Sequence, residues 1–97
     1  MDNSQKERLL MLAEEASEIS QAVCKILRHG YDNYNPNDLD KKSNKELLVY
    51  ELEDLLAIIK AMTEAEDIKI DFSDSLLYDE VWKMKLKWTN YQNTGVK

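Results

Sequence analysis

Glycine occurs twice and proline once in this 97-residue chain. Disordered and low-complexity sequences lean on both residues, so their scarcity excludes those classes. A single cysteine, Cys24, excludes an intrachain disulfide and points to a chain that needs no oxidising compartment. No apolar run approaches the length that spans a bilayer. The opening Met1-Asp2-Asn3-Ser4 lacks the charge and apolar core of a secretory signal. Cytoplasm is therefore the expected location. Basic residues are outnumbered, 13 against 19 acids, leaving a net charge of −6. That balance argues against general nucleic-acid binding and against docking on a membrane surface.

What remains is 43% hydrophobic and 33% charged, the profile of a soluble helical protein. The length implies one domain, residues 1–97. So small a domain buries a modest core. The expected fold is all-α: an antiparallel helical bundle of three main helices whose core is completed by homo-oligomerisation.

Ser4-Gln5-Lys6-Glu7 reads as a capping box that opens a helix over 4–29. Gly30 is its left-handed stop, and Arg28 and His29 suit the negative end of the dipole. A polar loop follows over 31–42, with Asp32, Asn33, Asn35, Pro36, Asn37, Asp38 and Asp40 as turn formers. It is long for a helix–helix connection, and long loops often cover a site. Tyr31 and Tyr34 either present a stacking face for a base or pack the loop onto the helices. Ser43-Asn44-Lys45-Glu46 is a second capping box, opening a helix over 44–65. Glu64, Glu66 and Asp67 mark its fraying end. Ile68 to Phe72 alternates like a strand but has no partner strand, so it reads as an extended linker with its apolar residues tucked in. Ser73 caps a third helix over 74–91, with Leu77, Val81, Met84, Trp88 and Tyr91 at heptad spacing.

The first helix carries an apolar stripe of Leu9, Leu12, Ala16, Ile19, Val23 and Ile26. Glu15 and Glu18 lie along its edge, with Glu14 one step further out. The second helix repeats the arrangement at a constant offset of 36 residues: Leu48 falls under Leu12, Glu51 under Glu15 and Asp54 under Glu18. Residues three apart are neighbours on a helix surface. If the stripes pack together, two carboxylate pairs meet at one edge of the seam. Unpaired, such charges would be strained or partly protonated; a divalent cation relieves that. Every donor is an oxygen, which favours Mg²⁺, or Mn²⁺, over Zn²⁺. Carboxylate di-iron bundles use Glu-x-x-His pairs, and the one histidine, His29, lies outside both acid pairs. Mg²⁺ binds most often through carboxylates together with substrate phosphates. The opposing reading is that these are wet surface acids, as Glu53, Glu64, Glu66 and Asp67 are taken to be.

The residues Glu14-Glu15-x-x-Glu18 and Glu51-x-x-Asp54 resemble the signature of MazG-like nucleoside triphosphate pyrophosphohydrolases, an all-α superfamily that includes dimeric dUTPases. Leu-Ala-Glu-Glu-Ala-Ser-Glu-Ile-Ser-Gln-Ala at 12–22, Arg-His-Gly-Tyr-Asp at 28–32 and Glu-Leu-Glu-Asp-Leu-Leu-Ala at 51–57 support the likeness. It covers about residues 7 to 65 and is similar to short stand-alone members found in bacteriophages; a phage origin would place the chain in the host cytoplasm. The interval from Glu18 to Glu51 is longer than the usual pattern, and the extra length falls in the 31–42 loop. That departure bears on substrate choice rather than on metal geometry.

The resemblance implies a homodimer or homotetramer that cleaves the α–β phosphoanhydride of a nucleoside triphosphate, giving the monophosphate and pyrophosphate with Mg²⁺. Glu15, Glu18, Glu51 and Asp54 would hold the metal, and Glu14 would hold or orient a water. Phosphates need cations, for which Lys83, Lys85 and Lys87 are the candidates, with Lys25 and Arg28 behind them. Trp82 and Trp88 either stack on a base or fill a core. Two other functions compete: a nucleotide-binding sensor or sink without turnover, and an acidic helical oligomer with no site.

Overall fold

The computed structural model describes residues 1–71 and 75–92, and of 75–77 the backbone alone. The described residues form three helices and no named strand: α1 (Asn3–His29), α2 (Asn44–Glu64) and α3 (Ser75–Leu86). The expected cap Ser73, the expected helix start Asp74, Phe72, the side chain of Leu77 and the 93–97 tail lie outside the described residues.

Helix α1 starts earlier than its sequence suggests. Asp2, not Ser4, is the N-cap: its carboxylate accepts from the Gln5 amide at 2.8 Å, while the Asp2 amide donates to the Gln5 side chain at 2.9 Å. Aspartate caps as well as serine does, and the earlier box adds helical hydrogen bonds. The helix stops at Gly30, whose N–H donates to Ile26 O at 2.6 Å. Gly30 has φ 92° and ψ 162°, so the stop is not the left-handed helical one expected. It is an extended, positive-φ conformation that essentially only glycine adopts.

The loop is tied down by the turn formers Asn35 and Asp38. The Asn35 side chain accepts from Asn37 N, and the two Asp38 carboxylate oxygens accept from Asp40 N and Lys42 N. One isolated bridge joins Tyr34 to Ser43. Asn44, only 3% exposed, staples both ends. Its side-chain amide donates to Gly30 O at 3.0 Å and its backbone N–H to Asn33 O at 2.8 Å. Ser43 caps α2 as expected, accepting from Glu46 N at 3.2 Å.

The end of α2 does not fray. Glu66 sits at φ 63°, Asp67 N donates to Met62 O, and Glu66 N donates to Thr63 O. This is a Schellman closure with glutamate where glycine usually stands. It aims Asp67 back at α1, where Arg8 donates two hydrogen bonds to its carboxylate at 2.5 and 3.0 Å. Asp67 is therefore a half-buried structural partner rather than a wet surface acid. With α1's start clasped to α2's end, and Gly30 to Asn44, the two helices form an antiparallel hairpin. Ile68, beyond the closure, is half-buried, but Ile70 is exposed, so the linker is tucked in only at its start.

The seam of that hairpin is rotated from the expected stripe. Facing α2 are Leu12, Glu15, Ile19, Ala22 and Ile26, while Leu9, Ala16 and Val23 are exposed. On α2, Leu48, Glu51, Leu55, Ile58, Ile59 and Met62 turn inward. Glu15 and Glu51 therefore stand in the seam, while Glu18 and Asp54 stay at its exposed edge. The apolar stripe is wider than one partner helix can cover, and a single partner has settled on the side that includes Glu15 and Glu51.

Helix α3 is shorter than expected and packs on neither α1 nor α2 among the described residues. After Leu86 the chain tightens into i→i+3 bonds, from Lys87 N to Met84 O and from Trp88 N to Lys85 O. Lys87 and Trp88 thus lie beyond the helix. Trp88 is 85% exposed, and Val81, Met84 and Tyr91 are exposed with it, so among the described residues the heptad side covers no core.

Met62 is the one buried hydrophobic residue among those described. The accessible surface is 8152 Å², against about 5,800 Å² for a compact monomer of this mass. The radius of gyration is 16.8 Å, where about 13 Å is usual. Among the described residues, no helix is long and apolar enough to cross a membrane.

Candidate metal centre

Glu15 and Glu18 come from successive turns of α1 and Glu51 from the facing turn of α2. One carboxylate oxygen of each lies within 4.8 Å of the others. Glu15 is 7% exposed, Glu51 is half-buried and Glu18 is open to solvent. Glu15 Oε1 and Glu51 Oε2 are shut off from water without a hydrogen-bond partner. Buried polar atoms are rarely left so. Among the described residues, no ion pair reaches any of the three acids.

The electrostatics follow from that crowding. The Glu15 carboxyl is pushed up to about 7, first by hydrogen-bonding approach of Glu51, then by burial, then by the charges of Glu51, Glu18 and Asp54. Glu18 is also raised, chiefly by Glu51. Three carboxylates with one open side can keep a proton or accept a cation. The donor set is all oxygen and carries excess negative charge, and two of its buried oxygens are unclaimed. These residues fit a hard divalent cation.

Asp54, one turn beyond Glu51 on α2, lies outside the three-oxygen group and is exposed, although its charge acts on both Glu15 and Glu18. Glu14 is exposed on α1 and outside the cluster. Lys83 and Lys85 are on α3, which packs on neither helix that holds the acids among the described residues, and Lys87 and Trp88 lie beyond its end.

One cation of α1, Lys25, shares a cavity with the cluster. A cavity of about 220 Å³ opens from Glu18 and Glu51 and is lined by Lys25, Asn44 and Leu47. A second, of about 300 Å³, shares Lys25, Asn44 and Leu47 and continues to His29, Asn33 and Tyr34. Lys25 is thus promoted from a secondary candidate, and Asn44 is a site residue that its place in a capping box concealed. A signal for both existed. Lys25 lies seven residues after Glu18 and Asn44 seven before Glu51, two turns along the same faces. In antiparallel helices those two steps run in one direction.

A carboxylate cluster beside a lysine-lined groove suits a phosphate ester or anhydride carried with a metal ion. No family model, curated protein or solved structure matches the chain.

Proposed function

We propose that the chain is a Mg²⁺-dependent nucleoside triphosphate pyrophosphohydrolase of the MazG-like kind, releasing the monophosphate and pyrophosphate. The observation that carries this reading is the convergence of Glu15, Glu18 and Glu51 on one small volume with two buried oxygens unclaimed. Glu15, Glu18 and Glu51 would hold Mg²⁺, or Mn²⁺ in its place, with Asp54, one turn beyond Glu51, as the fourth carboxylate. Such a cation would neutralise charge on the phosphates and make a bound water more acidic. Lys25 faces the same groove and pairs with a phosphate oxygen.

A homodimer or homotetramer is part of the proposal. The excess surface and the exposed Leu9, Val23, Leu52 and Leu56 on the two packed helices favour a second copy as cover. Lys83, Lys85, Lys87 and Trp88 stand apart from the acids within one chain, so any contact with substrate comes through assembly. The cytoplasm, that of a host if the chain is phage-encoded, supplies the nucleotides.

The test is incubation of purified protein with a panel of canonical and modified nucleoside triphosphates and Mg²⁺, assayed for pyrophosphate. At least one triphosphate should yield equal amounts of monophosphate and pyrophosphate. Release of orthophosphate alone, or of nothing across the panel, contradicts the proposal. Glu51→Gln should abolish turnover with the fold intact, whereas Glu53→Gln, on an exposed face of the same helix, should be nearly silent.

A further inference from the structure

The groove that begins at the acids does not end at the phosphates. Its far end is walled by the α1–α2 loop, and the chemistry changes along it. Near Glu18 and Glu51 the lining is charged. Beyond Lys25 it becomes neutral and partly aromatic, with Asn33, Tyr34, Asn35 and Pro36. The Asn33 side-chain amide has no hydrogen bond within the chain among the described residues, so both its donor and its acceptor are free for a ligand. The Asn35 oxygen accepts from the Asn37 amide, which fixes the side chain and leaves its NH₂ to donate. Tyr34 offers a half-open ring, held by its backbone bridge to Ser43. The loop is preorganised: Asn44 fixes it at Gly30 and Asn33, and the Lys45 N–H donates to Tyr31 O at 2.9 Å. A preformed pocket costs less to bind than one that must be ordered.

Dimensions agree with the chemistry. The outer cavity, about 300 Å³, lies at the lower end of the range for small-molecule sites. From Glu18 to His29 the distance along α1 is about 16 Å, the reach of an extended nucleotide from phosphates to base. A neutral, flat, hydrogen-bonding group tethered to phosphates is what such a pocket selects.

We infer that the pocket between the end of α1 and the 33–36 loop is the nucleobase subsite, with Tyr34 as stacking face and Asn33 as reader of the base edge. This rests on the proposed function of the acid cluster and adds where the base lies. It assigns substrate choice to the loop rather than to the tryptophans of α3.

The experiment is an amide-resolved NMR titration of the full chain with Mg²⁺-pyrophosphate and, separately, with AMP, GMP, CMP and UMP in Mg²⁺. Pyrophosphate should shift amides around Glu18, Lys25 and Glu51 and leave the loop unmoved. At least one monophosphate should also shift Asn33, Tyr34 and Asn35. Tyr34→Ala should weaken that monophosphate about tenfold, the usual worth of base stacking, with pyrophosphate affinity unchanged. Tyr34→Phe, which keeps the ring, should retain most of the affinity. Pyrophosphate shifts at the acids together with monophosphate shifts confined to Trp82 and Trp88 would overturn the loop assignment and leave the acid site standing. No response to either probe would overturn both.

Discussion

Glu15 holds its proton well above the ordinary carboxylate range, because Glu51 crowds a carboxyl that burial already disfavours as an anion. Its folded value, about 7, lies above the ordinary 4.5. A raised acid stabilises the fold fully below the ordinary value, and that contribution is lost as pH climbs through the folded one. Metal-free protein should therefore melt at progressively lower temperature between about pH 4.5 and 7, which scanning calorimetry in chelator would record. Mg²⁺ competes with the proton, so its stabilising shift should be larger at pH 8 than at pH 6. Glu15→Gln should leave the metal-free protein at least as stable as the wild type at pH 8 and should cancel the Mg²⁺ shift. A variant that melts lower and still responds to Mg²⁺ would contradict the assigned role. Glu66 carries a different strain, a side chain in the left-handed region at φ 63°. Glu66→Gly should raise stability by up to about 1 kcal/mol, since left-handed backbone costs a non-glycine residue roughly that; unchanged denaturant midpoints would count against it. The convergence of Glu15 with Glu51 was readable in the 36-residue offset. The roles of Glu66 and Asp67 were not, because nothing in helix propensity marks a glutamate for a glycine's place.

The hairpin of α1 and α2 is held at its open end by one ion pair. Arg8 lowers the Asp67 carboxyl below its ordinary 3.8, first through their hydrogen bonds. A lowered acid stabilises the fold above its ordinary value and loses that contribution as pH falls through the folded one. Arg8→Gln should thus lower the melting temperature at pH 7, and the gap to wild type should narrow as pH drops below 3.8. A gap that stays constant down to pH 2 would assign the loss to packing of the arginine stem instead. At this scale the existence of all three helices, the Ser43 cap and the stop at Gly30 followed from local chemistry. Two ends did not. Asp2 and Ser4 both offer a capping box, and the longer helix won. Helix α3 stops at Leu86 because its expected continuation rested on heptad spacing, and a heptad face prolongs a helix only where another surface receives it.

One chain, taken whole, leaves its apolar surface unfinished. Periodicity marked a stripe on α1 but could not say which side of it a single neighbour would cover. In the hairpin the covered side includes Glu15 and excludes Leu9 and Val23. The leftover face is what the proposed second copy would cover. Sedimentation should show a dimer or tetramer at micromolar concentration, and Leu52→Lys with Leu56→Lys, on the exposed side of α2, should shift it toward monomer. A wild-type monomer at those concentrations would remove the oligomer from the account.

Three glutamates from two helices sharing one cation is the premise of the whole molecule's chemistry, and Mn²⁺ titration followed by electron paramagnetic resonance addresses it most directly. Wild-type protein should remove free Mn²⁺ signal to saturation, Mg²⁺ should compete, and Glu51→Gln should bind Mn²⁺ at least tenfold more weakly while keeping its helical circular dichroism. Equal, weak loss of signal in both proteins would mean that the acids converge without holding a metal.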